Sequence, residues 1–337
     1  MKKEAMLYEK TADRQVECHL CSHLCRLQET KFGICGVRQN LDGCLFTHVY
    51  GEVIASNVDP IEKKPLYHFL PGSRSYSIAT LGCNFKCGFC QNWQISQQSI
   101  RERRDVPGRR MDPREIVTEA LGAHCRSIAY TYTEPTVFFE YAYETARIAS
   151  HEGLRNVLVT NGFMTTEAVD AIHPFLDAAN IDLKSFRDEF YRTNCKGRLQ
   201  PVLDTIQHMK EQGIWIEVTT LVIPGENDSE QELASIADFI AQIGVEVPWH
   251  ISRFHPDYQF TQRHRATPPA TLSRAAQIAG EKGLQHVYLG NVAADSDTYC
   301  PNCRALLVAR SGYSIREDAM RAGECQTCGT AVAGVWA

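Results

Sequence analysis

Three closely spaced cysteines are the residues best equipped to do chemistry. Cys83, Cys87 and Cys90 stand in the run Gly82-Cys83-Asn84-Phe85-Lys86-Cys87-Gly88-Phe89-Cys90-Gln91-Asn92, and the next cysteine is Cys125. Their spacing is Cys-x3-Cys-x2-Cys. Three thiolates on one short loop can hold three corners of a cubane iron–sulfur cluster and leave the fourth iron for another ligand. A vacant position is what separates a catalytic metal centre from a structural one. An incomplete zinc site is the competing reading, yet zinc ligands usually come as Cys-x2-Cys knuckles on two separate segments.

Two other cysteine groups stand apart from this triad. Cys300-Pro-Asn-Cys303 and Cys325-Gln-Thr-Cys328 form two knuckles, and Gly329 suits a tight turn around a metal. Four thiolates so paired predict a closed tetrahedral zinc ribbon, with an iron site of the same ligands as the alternative. Cys18, Cys21, Cys25 and Cys35 form the other group. Their spacing matches neither a two-knuckle ribbon nor a bacterial ferredoxin. They predict a metal, either zinc or a second cluster. His19 and His23 could replace a thiolate, with surface positions as the default expectation, and Cys44 and Cys125 are expected in packing. Cys195 reads as a buried inert cysteine, or else as a substrate-side thiol.

The rest of the chain must position these groups. It has 337 residues, 44% hydrophobic and 22% charged, with a formal net charge of −5. That suits an ordinary globular protein and offers no electrostatic reason to expect nucleic acid or an anionic membrane as partner. The basic residues Arg101, Arg103, Arg104, Arg109 and Arg110 are diluted by Glu102 and Asp105 and read as a solvated loop. No apolar run approaches membrane length and no signal-peptide pattern opens the chain, so a cytoplasmic location is expected. In that compartment many cysteines point to metals or redox chemistry rather than disulfides.

Three parts are expected. Residues 1–72 form an N-terminal Cys-rich metal module in which the alternating run 45–54 predicts a hairpin around Gly51. Residues 73–292 alternate strands and helices. Strands are predicted at 76–81, 127–130, 156–160, 179–183, 214–222, 250–252 and 286–289. Helices are predicted at 137–150, 165–171, 202–212, 230–243 and 272–281. Residues 293–337 form the C-terminal zinc-ribbon-like module. The repeated alternation implies an α/β fold with a parallel sheet and right-handed crossovers, a barrel or partial barrel with its site at the C-terminal strand ends.

The triad loop, with Phe89 before the last cysteine, resembles the radical SAM superfamily. Nearly the whole chain is similar to AmmeMemoRadiSam system radical SAM enzymes, relatives of the glycyl-radical-enzyme activases such as pyruvate formate-lyase activating enzyme. The resemblance includes the run 59–65, Tyr132-Thr133-Glu134-Pro135, Thr160-Asn161-Gly162, Asp182-Leu183-Lys184 and the stretch 250–258. It implies a partial (β/α)6 barrel and a [4Fe–4S] cluster held by Cys83, Cys87 and Cys90, with S-adenosylmethionine on its open iron. It further implies a 5′-deoxyadenosyl radical that abstracts hydrogen from a substrate, and a low-potential donor such as flavodoxin or ferredoxin. Cofactor contacts are implied for Phe89, Glu134, Asn161, Asp182, Lys184 and His255. Two departures from the activases stand out: Val159 replaces a carboxylate that helps bind a cation, and Thr219 replaces a strand arginine. The substrate is therefore expected to be a small molecule or a partner protein. An activase acting on a protein glycine is the second possibility and a non-catalytic zinc-ribbon interaction protein the third.

Overall fold

The computed structural model describes residues 2–100, 108–262, 264–293 and 296–336. Its centre is an eight-stranded sheet, counted among the described residues, in which spatial order follows chain order. The strands are β1 (Ala55–Pro60), β2 (Arg74–Ala79), β3 (Ser127–Tyr130), β4 (Arg155–Thr160), β5 (Ala178–Asp182), β6 (Trp215–Val222), β7 (Trp249–Arg253) and β8 (Val287–Gly290). β1 runs antiparallel at one edge, and β2 to β8 are all parallel. Parallel neighbours need crossovers. These are supplied by α1 (Pro113–Gly122), α2 (Phe139–His151), α3 (Thr166–Ile172), α4 (Gln200–Glu211), α5 (Glu230–Ile243) and α6 (Pro269–Glu281).

Successive strand residues point to opposite faces. Ile128, Leu158 and Ala179 join the core shared with the helices, whereas Ala129, Val157 and Ala178 pack on the other face against Ile61, Leu66, Phe69 and Leu70. The segment after β1 therefore packs on the sheet face opposite the core shared with the helices. Buried Glu217 on β6 ties it down by accepting the backbone N–H of Tyr67 at 3.0 Å and of His68 at 2.8 Å.

Helix ends follow local chemistry. α1 begins with a capping box in which Asp112 accepts from Glu115 N and Glu115 reciprocates. The sequence reading passed over this helix, although Asp112-Pro113-x-Glu115 is a start signal. Ser229 caps α5 and Thr165 caps α3. The other predicted strands and helices form within three residues of their expected bounds.

The N-terminal hairpin falls elsewhere than predicted. Arg38–Leu41 pairs with Cys44–Thr47 around Asp42 (φ 55°) and Gly43 (φ 75°). Two successive left-handed residues make the primed turn that suits hairpin twist, and Asp-Gly favours it. Gly51 instead bonds Met111, and Glu52–Val53 pairs with Arg109–Arg110. Arg109 and Arg110 thus lie on a strand rather than a loop; Arg101, Arg103 and Arg104 lie outside the described residues. Cys125 is buried as expected, but Cys44 is half-exposed beside the Lys10 amine at 3.0 Å.

The C-terminal segment builds a separate three-stranded sheet, Thr298–Tyr299, Leu306–Ser311 and Ser314–Asp318, over a small core of Cys300, Leu307, Val308, Cys325 and Val332. It is tied back to the central sheet: Arg310 donates to Tyr67 O at 2.8 Å, and His68 bridges Ala333 O and the Tyr288 hydroxyl. Among the described residues, no helix is long and apolar enough to cross a membrane.

Candidate active site

The triad loop follows β2, at the C-terminal end of the sheet. Backbone N–H groups of Lys86 and Gly88 donate to Cys195 O and Asn194 O, at 2.8 and 3.1 Å. At Gly82 the chain turns with φ 97°, and a Cβ there would stand 2.7 Å from Val37 Cγ1 and 3.1 Å from Cys35 O. Only glycine meets both demands. Cys83 and Cys87 are buried and Cys90 is half-buried. Burial and nearby Glu134 push the Cys83 thiol well above its ordinary range. A hydrogen bond with Cys195, then burial, does the same for Cys87.

All three cysteines line a cavity of about 330 Å³ together with Phe89, Glu134, Asn161, Asp182 and Lys184. These residues come from the ends of consecutive strands. Glu134 follows β3 and caps the turn that leads into α2. Its buried carboxylate accepts four hydrogen bonds, from Thr136 N, Thr136 Oγ1, Thr160 Oγ1 and Asn161 N. Burial still raises its pKa. It is thus a helix-start acid and a cavity-wall carboxylate at once.

Asn161 also has two parts. Its Oδ1 accepts from Phe163 N at 3.0 Å, as a turn residue would, while its Nδ2 donates to Asn84 Oδ1 at 2.7 Å beside Cys83. The Lys184 amine bonds Asp182 at 2.7 Å. Burial alone would lower that amine, but Asp182, Cys87 and Cys195 carry it well above its usual value, so it stays charged. Val159 and Thr219 line the same cavity, and the Thr219 hydroxyl donates to Asn180 Oδ1 at 2.9 Å.

Two candidates lie elsewhere. His255 is exposed and lines an adjoining cavity of about 630 Å³ between the sheet edge and the C-terminal module, with Arg253 and Tyr313. Cys195 is fully buried against Cys87 and is not among the residues of either cavity wall.

Sequence reasoning missed one constellation. Lys64 is buried and donates to Asp59 Oδ2 at 2.7 Å, Tyr132 OH donates to the same oxygen at 2.5 Å, and Lys64 and Tyr132 line the cavity. The run 59–65 pointed to it only through resemblance. Its convergence on Tyr132 spans 73 residues of chain and leaves no local mark.

The outer cysteine groups differ. The sulfurs of Cys300, Cys303, Cys325 and Cys328 all lie within 4.8 Å of one another, a set able to hold a metal ion. Cys18, Cys21, Cys25 and Cys35 wall one small enclosed cavity at wider spacing. His23 lines the same cavity, with its Nε2 2.8 Å from Asn84 O, and His19 lies 3.8 Å from Glu167; both residues are partly buried rather than at the surface.

Several known proteins are similar to this chain. An uncharacterized protein of Methanocaldococcus jannaschii is 45% identical, covering 97% of this chain and 98% of its own. A protein of the same organism named as a glycyl-radical enzyme activating enzyme is 25% identical, over 67% of this chain and 82% of its own. The crystal structure of a radical SAM methyltransferase from Sphaerobacter thermophilus shares the fold at 16% identity, with a TM-score of 0.51 over 66% of this chain and 67% of that one. The family description "Radical SAM superfamily" matches residues 77–237, a span containing the triad loop, Glu134, Asn161, Asp182 and Lys184. The chain belongs to the radical SAM superfamily, whose enzymes use S-adenosylmethionine and an iron–sulfur cluster.

Proposed function

We propose that the chain reductively cleaves S-adenosylmethionine at an open-coordinate [4Fe–4S] cluster held by Cys83, Cys87 and Cys90 within a partial (β/α)6 barrel. One observation carries this reading: the three thiols share a single cavity with Glu134, Asn161, Asp182 and Lys184. The donor set fits. Three soft thiols stand on one loop, and a carboxylate and an ammonium group flank them, matching the amine and carboxylate of the cofactor's methionine part. When bound, cluster and cofactor supply an electron and a 5′-deoxyadenosyl radical for hydrogen-atom abstraction.

The chain's own residues bind, orient and shield. Glu134, held by four hydrogen bonds, offers a fixed negative group to the cofactor's ammonium. Lys184, charged and steered by Asp182, offers a positive one to its carboxylate. Phe89 is packed between Phe190 and Phe260 and closes the cavity wall against water. His255 contributes from the adjoining cavity, on the substrate side. A low-potential flavodoxin or ferredoxin supplies the electron, the Cys300–Cys328 set holds zinc, and the three parts function as the modules 1–72, 73–292 and 293–337.

The test is anaerobic. Protein reconstituted with iron and sulfide, reduced and given S-adenosylmethionine should release 5′-deoxyadenosine, and a Cys83/Cys87/Cys90→Ala variant should not. Equal release from both would remove the proposal. Activation of a glycyl-radical enzyme is the second reading, favoured by relatives named as activases. Val159 and Thr219 bring neither carboxylate nor guanidinium to the cavity wall and weigh against it. A backbone glycyl radical signal on mixing with such an enzyme would favour it.

A further inference from the structure

We infer that Cys18, Cys21, Cys25 and Cys35 hold a second, fully ligated [4Fe–4S] cluster rather than a zinc ion. Sulfur spacing is the first argument. A single zinc draws each sulfur to about 2.3 Å, so its four thiolates stand about 3.8 Å apart. The C-terminal thiols satisfy that, with Cys300–Cys328 at 3.6 Å and Cys303–Cys325 at 3.7 Å. Among the described residues, no three of the four N-terminal sulfurs lie within 4.8 Å of one another. The same is true of the triad Cys83, Cys87 and Cys90. A cubane spreads its thiolates over four irons and needs this wider frame.

A shared wall is the second observation: all four thiols line one small cavity with apolar neighbours such as Leu20 and Leu27.

The surroundings suit a buried cluster. Arg38, buried and paired with Glu140, donates to Cys18 Sγ at 3.2 Å. Hydrogen bonds to sulfur and low solvent exposure are the protein's means of tuning such a cluster. The ligands come from one segment that packs on the triad loop: His23 meets Asn84 O, and Cys35 O faces Gly82.

The inference does not need the proposed function to hold, and iron counting separates the two. Full-length protein is reconstituted anaerobically with iron, sulfide and zinc, and metals and acid-labile sulfide are measured per chain. The Cys83/Cys87/Cys90→Ala variant should retain about four irons and four sulfides with about one zinc. That variant binding no iron and a second zinc would overturn the inference. Should it fail to fold, Cys21→Ala combined with Cys25→Ala in the otherwise intact chain decides, because two thiols are too few to hold a cubane. Loss of about four irons from that variant supports the second cluster, and unchanged iron content overturns it. Four irons in the wild-type protein and the same four in the triad variant would instead sink the proposed function alone.

Discussion

Two sets of four cysteines, one at each end of the chain, have equal ligand counts and unlike surroundings. At the C-terminus, Cys303 and Cys328 are exposed, and the four sulfurs are drawn together by two knuckles on a small separate sheet. Thr330, by its hydroxyl and then its N–H, lowers the Cys328 thiol, while the neighbouring Cys328 sulfur raises that of Cys303. At the N-terminus, Cys18 and Cys35 are buried, and burial pushes the Cys25 thiol up to about 11. The ligand count leaves the metal undecided. The backbone that spaces the sulfurs, and the solvent it admits, decide it.

The strongest way to break this comparison is to remove the C-terminal ligands. Structural zinc binding contributes roughly 10–16 kcal/mol in apparent terms. Cys303→Ser with Cys328→Ser should lose one metal per chain and expose the segment 298–336 to proteolysis, with iron content unchanged. A fall in iron would show that the two sites are not independent.

Next, Arg38→Met strands Glu140 as an uncompensated buried charge. It should destabilise the chain by about 3–5 kcal/mol in denaturant unfolding. The contrasting loss of Arg304, an exposed residue of the C-terminal module, should cost far less.

The seam of the C-terminal module should respond to acid. His68 and His286 are buried with rings 4.3 Å apart, and burial lowers His286 to about 4 and His68 well below its usual value. The unfolded chain binds these protons near pH 6.5 and the folded chain does not, so stability is complete above that pH and falls as pH drops toward 4. His286 alone should cost about 2 kcal/mol at pH 5. Tyr288→Phe removes a partner of His68, and it should leave the acid response of His286 in place.

Gly82→Ala tests the contact between the N-terminal thiol segment and the triad loop. Side-chain strain at φ 97° and the encounter with Val37 should cost about 1–3 kcal/mol. It should also lower iron loading at both sites while sparing zinc. Smallest is Glu134→Gln, which keeps the shape and removes the charge. Binding of S-adenosylmethionine should weaken roughly tenfold by calorimetry, about 1.4 kcal/mol, with metal content unchanged.

Much of this protein is local and was therefore legible. Strand and helix periods recur along 127–289, and each crossover is short, so chain order became sheet order. The triad and the two C-terminal knuckles are written in spacings of a few residues. Glu134, Asn161, Asp182 and Lys184 could be placed at strand ends because a parallel sheet puts all such ends on one side.

Other features belong to tertiary structure alone. The hairpin moved to Asp42-Gly43 because a left-handed pair turns a strand better than Gly51, which is engaged by Met111 across the chain. His255 lines the neighbouring cavity, although the chain just beyond it returns to the triad loop, where Gln259 N donates to Gly88 O at 3.0 Å. Lys64, Asp59 and Tyr132 met only when β1 joined the sheet edge. The N-terminal cysteines could be counted from the sequence. The distances between their sulfurs could not, because these depend on how the segment folds against the triad loop.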